Sequence, residues 1–161
     1  MPTFNFSSAL TSTSYSSWSY LFNNNNVFKN LIINGLQTLS NIAITIYGLF
    51  THSTSNGTTT FTAGANAWTF AATSGSYTIT PVAATTYDFP WTFGSATSTA
   101  TWTLANNLTL GATRSFSLAN GTTDFNTKTL SALGIYLITG SPIIANTGGS
   151  SFSTTLPITL T

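Results

Sequence analysis

The stretch Thr99-Ala100-Thr101-Trp102-Thr103-Leu104 alternates a polar with an apolar residue at every step. Successive side chains of a β-strand point to opposite faces, so Ala100, Trp102 and Leu104 share one face and the threonines share the other. The same alternation recurs at residues 76–80, 107–110 and 115–118. These segments predict an all-β protein built from half-buried strands.

Turn signals separate the alternating segments. Asn-Gly occurs at Asn34-Gly35, Asn56-Gly57 and Asn120-Gly121, and it suits the type I′ hairpin turn, in which both central residues need positive φ. Strand-like runs spaced by roughly 8 to 12 residues favour a sandwich or barrel. We therefore predict an antiparallel, jelly-roll-like β-sandwich. A short β-helix or solenoid is the alternative, although the spacing of the aromatic-centred strands drifts where a solenoid usually keeps a steady period.

Composition divides the chain into three zones. We predict an extended N-terminal arm at residues 1–26, a β domain at residues 27–140 and a C-terminal extended segment at residues 141–161. The last zone ends in an alternating pattern that suits strand addition to a neighbour. The predicted strands are 27–34, 38–50, 58–62, 67–71, 76–80, 87–93, 97–104, 108–110, 115–118, 124–130, 135–139 and 151–160.

Charged residues are scarce. They make up 3% of the chain, against about 25% in an average soluble domain, whereas Thr, Ser and Asn contribute 34, 21 and 15 residues. Near-neutral surfaces promote association, so we expect other copies or another protein to cover much of the surface. We predict a homo-oligomer, with a trimer favoured. The charged residues are Lys29, Asp88, Arg114, Asp124 and Lys128.

The chain offers little catalytic chemistry. Acid–base catalysis usually needs a carboxylate or a histidine, and only His52, Asp88 and Asp124 are present. We interpret His52 as a surface or loop histidine, Asp88 as a turn cap or the partner of a base, and Asp124 as a loop residue. Without cysteine, the chain has too few ligands for zinc or calcium. We predict no enzymatic activity, no cofactor and no metal site.

Other partner classes are disfavoured by the same inventory. Three basic residues are too few for the electrostatic footprint of nucleic-acid binding. Residues 31–50 are too polar for a membrane-spanning helix. Residues 1–5 lack the basic region and apolar core of a signal peptide, so we expect synthesis in a cytoplasm.

Two binding functions compete with a structural role. Tryptophans on an exposed sheet can stack on sugar rings, which would make the chain a carbohydrate-binding β module, and the alternative is that they fill the core. The tryptophans concerned are Trp68, Trp91 and Trp102. Ranked threonines can bind ice, but the Thr-x-Thr triplets at residues 78–80, 101–103 and 127–129 occur at irregular intervals, which does not favour that function.

The N-terminal arm carries aromatic side chains that could be buried against a partner, while its serines and asparagines do not favour an independent fold. We predict these aromatics to be the partner-binding residues. They are Phe4, Phe6, Tyr15, Trp18, Tyr20 and Phe22.

In composition and strand rhythm the whole chain resembles phage decoration (cement) proteins and fibre proteins, which are often Thr-, Ser-, Asn- and Gly-rich trimeric β proteins. No shared motif carries this resemblance. It implies a non-enzymatic structural protein of a virion, whose arm contacts the capsid or tail, for example the major capsid protein, and whose β domain meets its symmetry mates. The alternative is an extracellular filament subunit or adhesin at the cell surface.

Overall fold

The strands of the chain form a parallel β-solenoid of about five turns. The computed structural model describes residues 3–7, 26–34, 37–39, 41–55, 57–137, 140–145, 151–154 and 159–160. The predicted all-β class is confirmed. The predicted antiparallel jelly-roll sandwich is wrong, because the strand pairs of the described residues are parallel, and the solenoid alternative is the observed fold.

The solenoid has three faces, which the chain visits in a fixed order from β3 onward. Face 1 comprises β1 (Thr3–Ser7), β3 (Asn30–Asn34), β6 (Phe50–Ser53), β9 (Ser76–Thr80), β12 (Thr101–Leu104), β15 (Thr122–Asp124) and β18 (Ile143–Ala145). Face 2 comprises β4 (Gln37–Leu39) with β7 (Thr59–Phe61), and then β10 (Thr86–Tyr87), β13 (Leu108–Leu110), β16 (Thr129–Ala132) and β19 (Ser151–Thr154). Face 3 comprises β2 (Val27–Phe28), β5 (Ile44–Ile46), β8 (Trp68–Phe70), β11 (Trp91–Phe93), β14 (Ser115–Leu118), β17 (Gly134–Leu137) and β20 (Thr159–Leu160).

The alternating sequence fixes the register of each strand. Trp68 pairs with Trp91, which pairs with Phe116 in the next turn, so buried residues stack on buried residues. A slip by one residue would turn every inward side chain toward solvent. The core is therefore a column of apolar side chains running along the solenoid.

Aromatic rings fill the centre of this column. Phe93 is fully buried and stacks on Phe70 with ring centroids 4.3 Å apart and on Phe116 at 5.0 Å. Trp91 and Trp102 are likewise fully buried. Stacked and edge-on ring pairs contribute about 0.5–1.5 kcal/mol each beyond the area they bury, so the aromatics predicted from the sequence hold successive turns together.

The alternating pattern misled the topology prediction for a physical reason. Most parallel sheets are covered on both sides, and their strands then read as continuous apolar runs. A solenoid leaves the outer side of each sheet in solvent, so its parallel strands alternate as antiparallel strands do. The sequence period drifts because the corners differ in length. Phe50 pairs with Leu31 on one side and, on the other, with Ile79, which is much farther away along the sequence.

The Asn-Gly pair that the structure describes in full, Asn120-Gly121, lies at a corner of the solenoid, where we predicted a hairpin. At Asn120-Gly121 only the glycine has positive φ (87°), so the type I′ turn is not formed. The side chain of Asn120 instead donates to Ala96 O (3.0 Å) and accepts from Ser141 N (3.2 Å), which links neighbouring turns. Gly57 also has positive φ, while Gly35 and Asn56 lie outside the described residues.

Several other asparagines join the backbones of adjacent turns at corners. Asn41 donates from Nδ2 to Asn66 O (3.0 Å), and its Oδ1 accepts from Asn66 N (2.9 Å). Asn106 donates to Pro81 O, and Asn107 accepts from Thr129 N. The abundance of asparagine therefore has a structural use, because a short amide satisfies backbone groups where the strand ladders end.

The predicted strand boundaries need correction in the first turns. The predicted strand 38–50 is interrupted by corners, and it contributes to β4, to β5 and to the start of β6. The predicted strand 27–34 is divided between β2 and β3, which lie on different faces. Outside the predicted domain of residues 27–140, β1, β18, β19 and β20 continue the three faces. Within the described ranges no helix is long and apolar enough to cross a membrane.

Candidate functional site

The three tryptophans proposed for sugar stacking face the core. Trp68 is 2% exposed, and Trp91 and Trp102 are fully buried. Trp68 lies against Phe89 and Phe50, with ring centroids 4.7 Å and 5.7 Å away. None of the three indoles can stack on a sugar ring in this conformation, so their role in the solenoid is packing.

His52 occupies a position that the sequence did not predict. It lies inside β6, is 2% exposed, and its Nδ1 is 2.7 Å from the hydroxyl oxygen of Tyr87. The interpretation of His52 as a surface or loop histidine is wrong: the alternation of β6 places Phe50 and His52 on the same inward side. Burial lowers the pKa of His52 from 6.5 to about 4, since a charged imidazolium would lose its hydration there.

The two aspartates have local partners. Asp88 Oδ1 accepts from Arg114 Nε at 2.7 Å, which confirms the expectation that Asp88 pairs with a base. Asp124 is the last residue of β15, so its interpretation as a loop residue is wrong by position, and its Oδ1 accepts from Asn126 N at 2.9 Å. Each carboxylate therefore stabilises a corner of the fold.

These titratable groups do not form a catalytic constellation. A hydrolytic triad needs a nucleophile, a base and an orienting acid joined by hydrogen bonds. The bonded partner of His52 is Tyr87, and the bonded side-chain partner of Asp88 is Arg114. Across the part of the chain that the structure describes, no group of three or more His, Cys, Asp or Glu residues could hold a metal ion.

Ranks of hydroxyl groups cover the outer side of face 1. Ser76, Thr101 and Thr122 occupy one column of paired residues, and Thr78 and Thr103 occupy a second. Ser76 and Thr78 are exposed, and the other three are half-buried. Neighbouring strands of a sheet lie about 4.8 Å apart and alternate residues of a strand about 6.6 Å apart, which sets the spacing of the two columns. The array ends at β15, where Asp124 follows Thr103.

Hydroxyl columns also run along the other two faces. On face 3, Thr45, Thr69, Thr92 and Ser117 follow one another in register at half-buried outward positions. On face 2, the column runs Thr86, Thr109 and Ser131. All three faces therefore present short, neutral, hydrogen-bonding side chains, which makes the outer surface the strongest candidate for a functional site.

The predicted partner-binding aromatics lie mostly outside the described residues. Phe4 and Phe6 belong to β1, at register positions next to Leu31 and Ile33 of β3. Tyr15, Trp18, Tyr20 and Phe22 fall in the undescribed range 8–25. Their role in binding a partner stays a prediction.

Sequence reasoning missed two features of the surface and core. The hydroxyl columns were visible only as scattered threonines, because a column needs the register of strands from different turns. The His52–Tyr87 pair joins residues 35 positions apart, and the single available signal was the alternation that continues from Phe50 into His52. No protein-family model matches the chain, and no curated protein or solved structure matches it either.

Proposed function

We propose that this protein is a non-enzymatic structural subunit of a virus particle, of the capsid decoration (cement) or tail-fibre kind. Its partners would be further copies of itself, with a trimer favoured, and other virion proteins such as the major capsid protein. It would be made in the host cytoplasm and reside in the virion. An extracellular filament subunit or adhesin is the alternative setting for the same mechanical role.

The observation that carries this proposal is the neutral hydroxyl surface on a rigid, aromatic-filled solenoid. Burying a charged side chain in an interface costs several kcal/mol unless it is paired, whereas Thr and Ser can exchange water for a partner's hydrogen bonds. The columns through Thr103, Thr109 and Thr92 give each face such a surface. A standard interface buries about 1,600 Å², and repetition over many copies multiplies its contribution.

The first test is the solution mass of the purified chain by light scattering, with negative-stain images of the same fraction. We expect a closed oligomer or a filament. A stable monomer at high concentration would refute self-assembly and leave only binding to a different protein lattice.

Charge insertion identifies the face that makes the contact. The matched variants are Thr103→Lys on face 1, Thr109→Lys on face 2 and Thr92→Lys on face 3, each at an outward strand position. At least one variant should lower the mass while far-ultraviolet circular dichroism stays unchanged. If all three keep the full mass, the faces do not form the interface.

The arm is tested separately by deleting residues 1–26. This deletion removes β1, whose partner among the described strands is β3 at the edge of face 1, and Asn26, which bonds to Ala43 O and Thr45 N. Both lie at the first turn, so the later turns should keep their fold. We expect the truncated chain to lose incorporation into the particle or filament. Normal incorporation would show that Phe4, Phe6 and the other aromatics of the arm are not the anchors. An antibody raised against the protein distinguishes the two settings: it should label virions if the protein is a virion subunit and cell surfaces if it is a filament subunit or adhesin.

A second function is favoured by one observation, the two-column hydroxyl array of face 1. The Thr-x-Thr triplets themselves are not aligned in space, but Ser76, Thr101 and Thr122 lie in one register and Thr78 and Thr103 in the next. Threonine is stiff about χ1, so such an array can hold water in an ordered layer that joins ice. The test is thermal hysteresis, which Thr103→Tyr should abolish and Thr69→Tyr on face 3 should not. No hysteresis in the unmodified protein would end this proposal.

A further inference from the structure

Face 2 is interrupted between β7 and β10. β4 pairs with β7 and β10 pairs with β13, but no strand ladder joins β7 to β10 among the described strands. On face 1 the same two turns are joined by the ladder of β6 with β9, and on face 3 by that of β8 with β11. Beside the interruption, one backbone bond runs from Gly64 N to Asp88 O (2.9 Å). We call this interruption, bordered by His52, Phe61 and Tyr87, the seam.

Side chains hold the seam where backbone ladders hold the other faces. The ring of Phe61 lies 5.0 Å from that of Tyr87 and 5.2 Å from that of His52. The hydroxyl of Tyr87 lies 2.7 Å from His52 Nδ1 and accepts a hydrogen bond from Val82 N at 3.0 Å. Tyr87 therefore ties β6 of one turn to the loop and strand of the next.

The hydrogen bonds of Tyr87 fit a neutral His52. Since Val82 N–H can only donate, the Tyr87 oxygen is its acceptor, and the hydroxyl proton is free to point at His52 Nδ1. In this arrangement Nδ1 is the acceptor, and the ring proton resides on Nε2. The Nε2 atom is buried and has no hydrogen-bond partner among the described residues. A neutral His52 therefore gives the Tyr87 proton an acceptor, whereas a charged ring would take that acceptor away and bury a positive charge.

None of the groups that His52 meets among the described residues would compensate a positive charge. From β7 it meets the ring of Phe61, from β3 its register partner is Ile33, and from β10 it meets Tyr87, the only titratable group among these contacts. The carboxylate of Asp88, which follows Tyr87, is paired with Arg114. Burial raises the pKa of Tyr87, so its hydroxyl keeps its proton and supplies no negative charge. Burial alone accounts for the lowered pKa of His52, about 4.

We propose that the seam is an acid-operated joint, at which protonation of His52 separates β7 from β10 while the turns from β11 onward stay folded. A proton on Nδ1 reverses the bond to Tyr87: the Tyr87 oxygen would then accept from both Nδ1 and Val82 N, and its own buried proton would lose its acceptor. A buried charge without a partner is strongly unfavourable. Solenoid turns contact only their neighbours, so the structure can open locally. A particle or filament built from this chain would loosen in acid at this turn first.

The experiment is hydrogen–deuterium exchange of the full chain at about pH 7.5 and pH 5, corrected for the intrinsic exchange rate. With pKa values of 6.5 when open and about 4 when closed, the open population rises about 30-fold between these conditions. We expect exchange protection to fall by this factor in residues 50–61 and 81–89, and to change little in β14 and β17. The matched variant His52→Gln keeps both aspartates and should show no such rise. Uniform loss of protection, or the same rise in His52→Gln, would overturn the proposal.

A second measurement covers the case in which His52→Gln fails to fold. The chain contains one histidine, so its imidazole proton signals in nuclear magnetic resonance belong to His52 without further assignment. We expect the signal of the folded protein to stay in its neutral form through pH 6 and to shift together with the ring signals of Phe61 and Tyr87 at lower pH. A titration near pH 6.5 with unchanged aromatic signals would show a solvated histidine and refute the joint.

Discussion

The aromatic column predicts a large effect from one substitution, Phe93→Ala. Phe93 is fully buried, stacks on Phe70 at 4.3 Å with an interplanar angle of 7°, stacks on Phe116 at 5.0 Å, and meets Trp102 edge-on at 5.5 Å. Truncating a buried phenylalanine to alanine costs about 3–5 kcal/mol from lost transfer free energy and the cavity left behind. Because three turns share this ring, we expect about 4 kcal/mol or more. Phe93→Leu, which keeps most of the volume, should cost about 1–2 kcal/mol.

The matched control is Thr92→Ala on the same strand. Thr92 points outward and is half-buried, so its substitution should change the free energy of unfolding by about 0.5 kcal/mol or less. Urea unfolding followed by circular dichroism measures all three variants, at one protein concentration because self-association would shift the apparent stability.

The same assay can isolate the ring pair. A double-mutant cycle of Phe70→Leu with Phe93→Leu should give a coupling energy of about 0.5–1.5 kcal/mol. A loss below about 1.5 kcal/mol in Phe93→Ala, or a value equal to that of Thr92→Ala, would refute the stacked column as the element that joins the turns.

Three further outcomes are expected. Gly94→Ala should lower the free energy of unfolding in urea by at least about 2 kcal/mol, because Gly94 has φ of 80° and an added Cβ would collide with the backbone of the next turn. The control Gly75→Ala, with φ of 95° but only the end of a tyrosine ring nearby, should lower it by about 1–2 kcal/mol. Equal losses in the two variants would contradict the clash. Asn41→Ala removes two hydrogen bonds to Asn66 and should cost about 1–2 kcal/mol, whereas Asn41→Asp should recover part of this by keeping the acceptor. Burial raises the pKa of Tyr87, so its contribution to stability is complete below pH 10 and is lost as the pH rises above 10, where the unfolded chain ionises first. The absorbance of the Tyr87 tyrosinate should therefore appear together with unfolding in alkali. Ionisation of Tyr87 in the folded protein would contradict its burial.

His52 makes the stability fall in acid, whereas Tyr87 makes it fall in alkali. Its pKa falls from 6.5 to about 4 on folding, so the folded chain binds fewer protons than the unfolded chain in this window. The contribution of His52 is complete above pH 6.5 and is lost as the pH falls toward 4, at about 1.4 kcal/mol per pH unit and about 3 kcal/mol in total. The two titrations together confine the best stability of this turn to the range from about pH 7 to 10.

The inward side of the alternating strands could be predicted from the sequence, but the strand partners could not. The alternation Ala100, Trp102, Leu104 states which side of a strand is buried, and all three are fully buried. It does not state the direction of the neighbouring strand, because a solenoid strand with one solvated side has the same alternation as an antiparallel strand. Asn120-Gly121 was interpreted as a hairpin because its composition fits one, whereas its amide satisfies backbone groups of two other turns.

What the sequence by itself determined is therefore local: β-strands, an aromatic inner side, a hydroxyl outer side and a near absence of charge. Only the tertiary structure decided that the strands run parallel, that Ser76 and Thr101 share a column, and that His52 is buried against Tyr87. The physical reason is that these relations join residues a full turn apart. Corners of variable length change the sequence interval between such residues without changing their register in space, so no fixed spacing in the sequence reveals them.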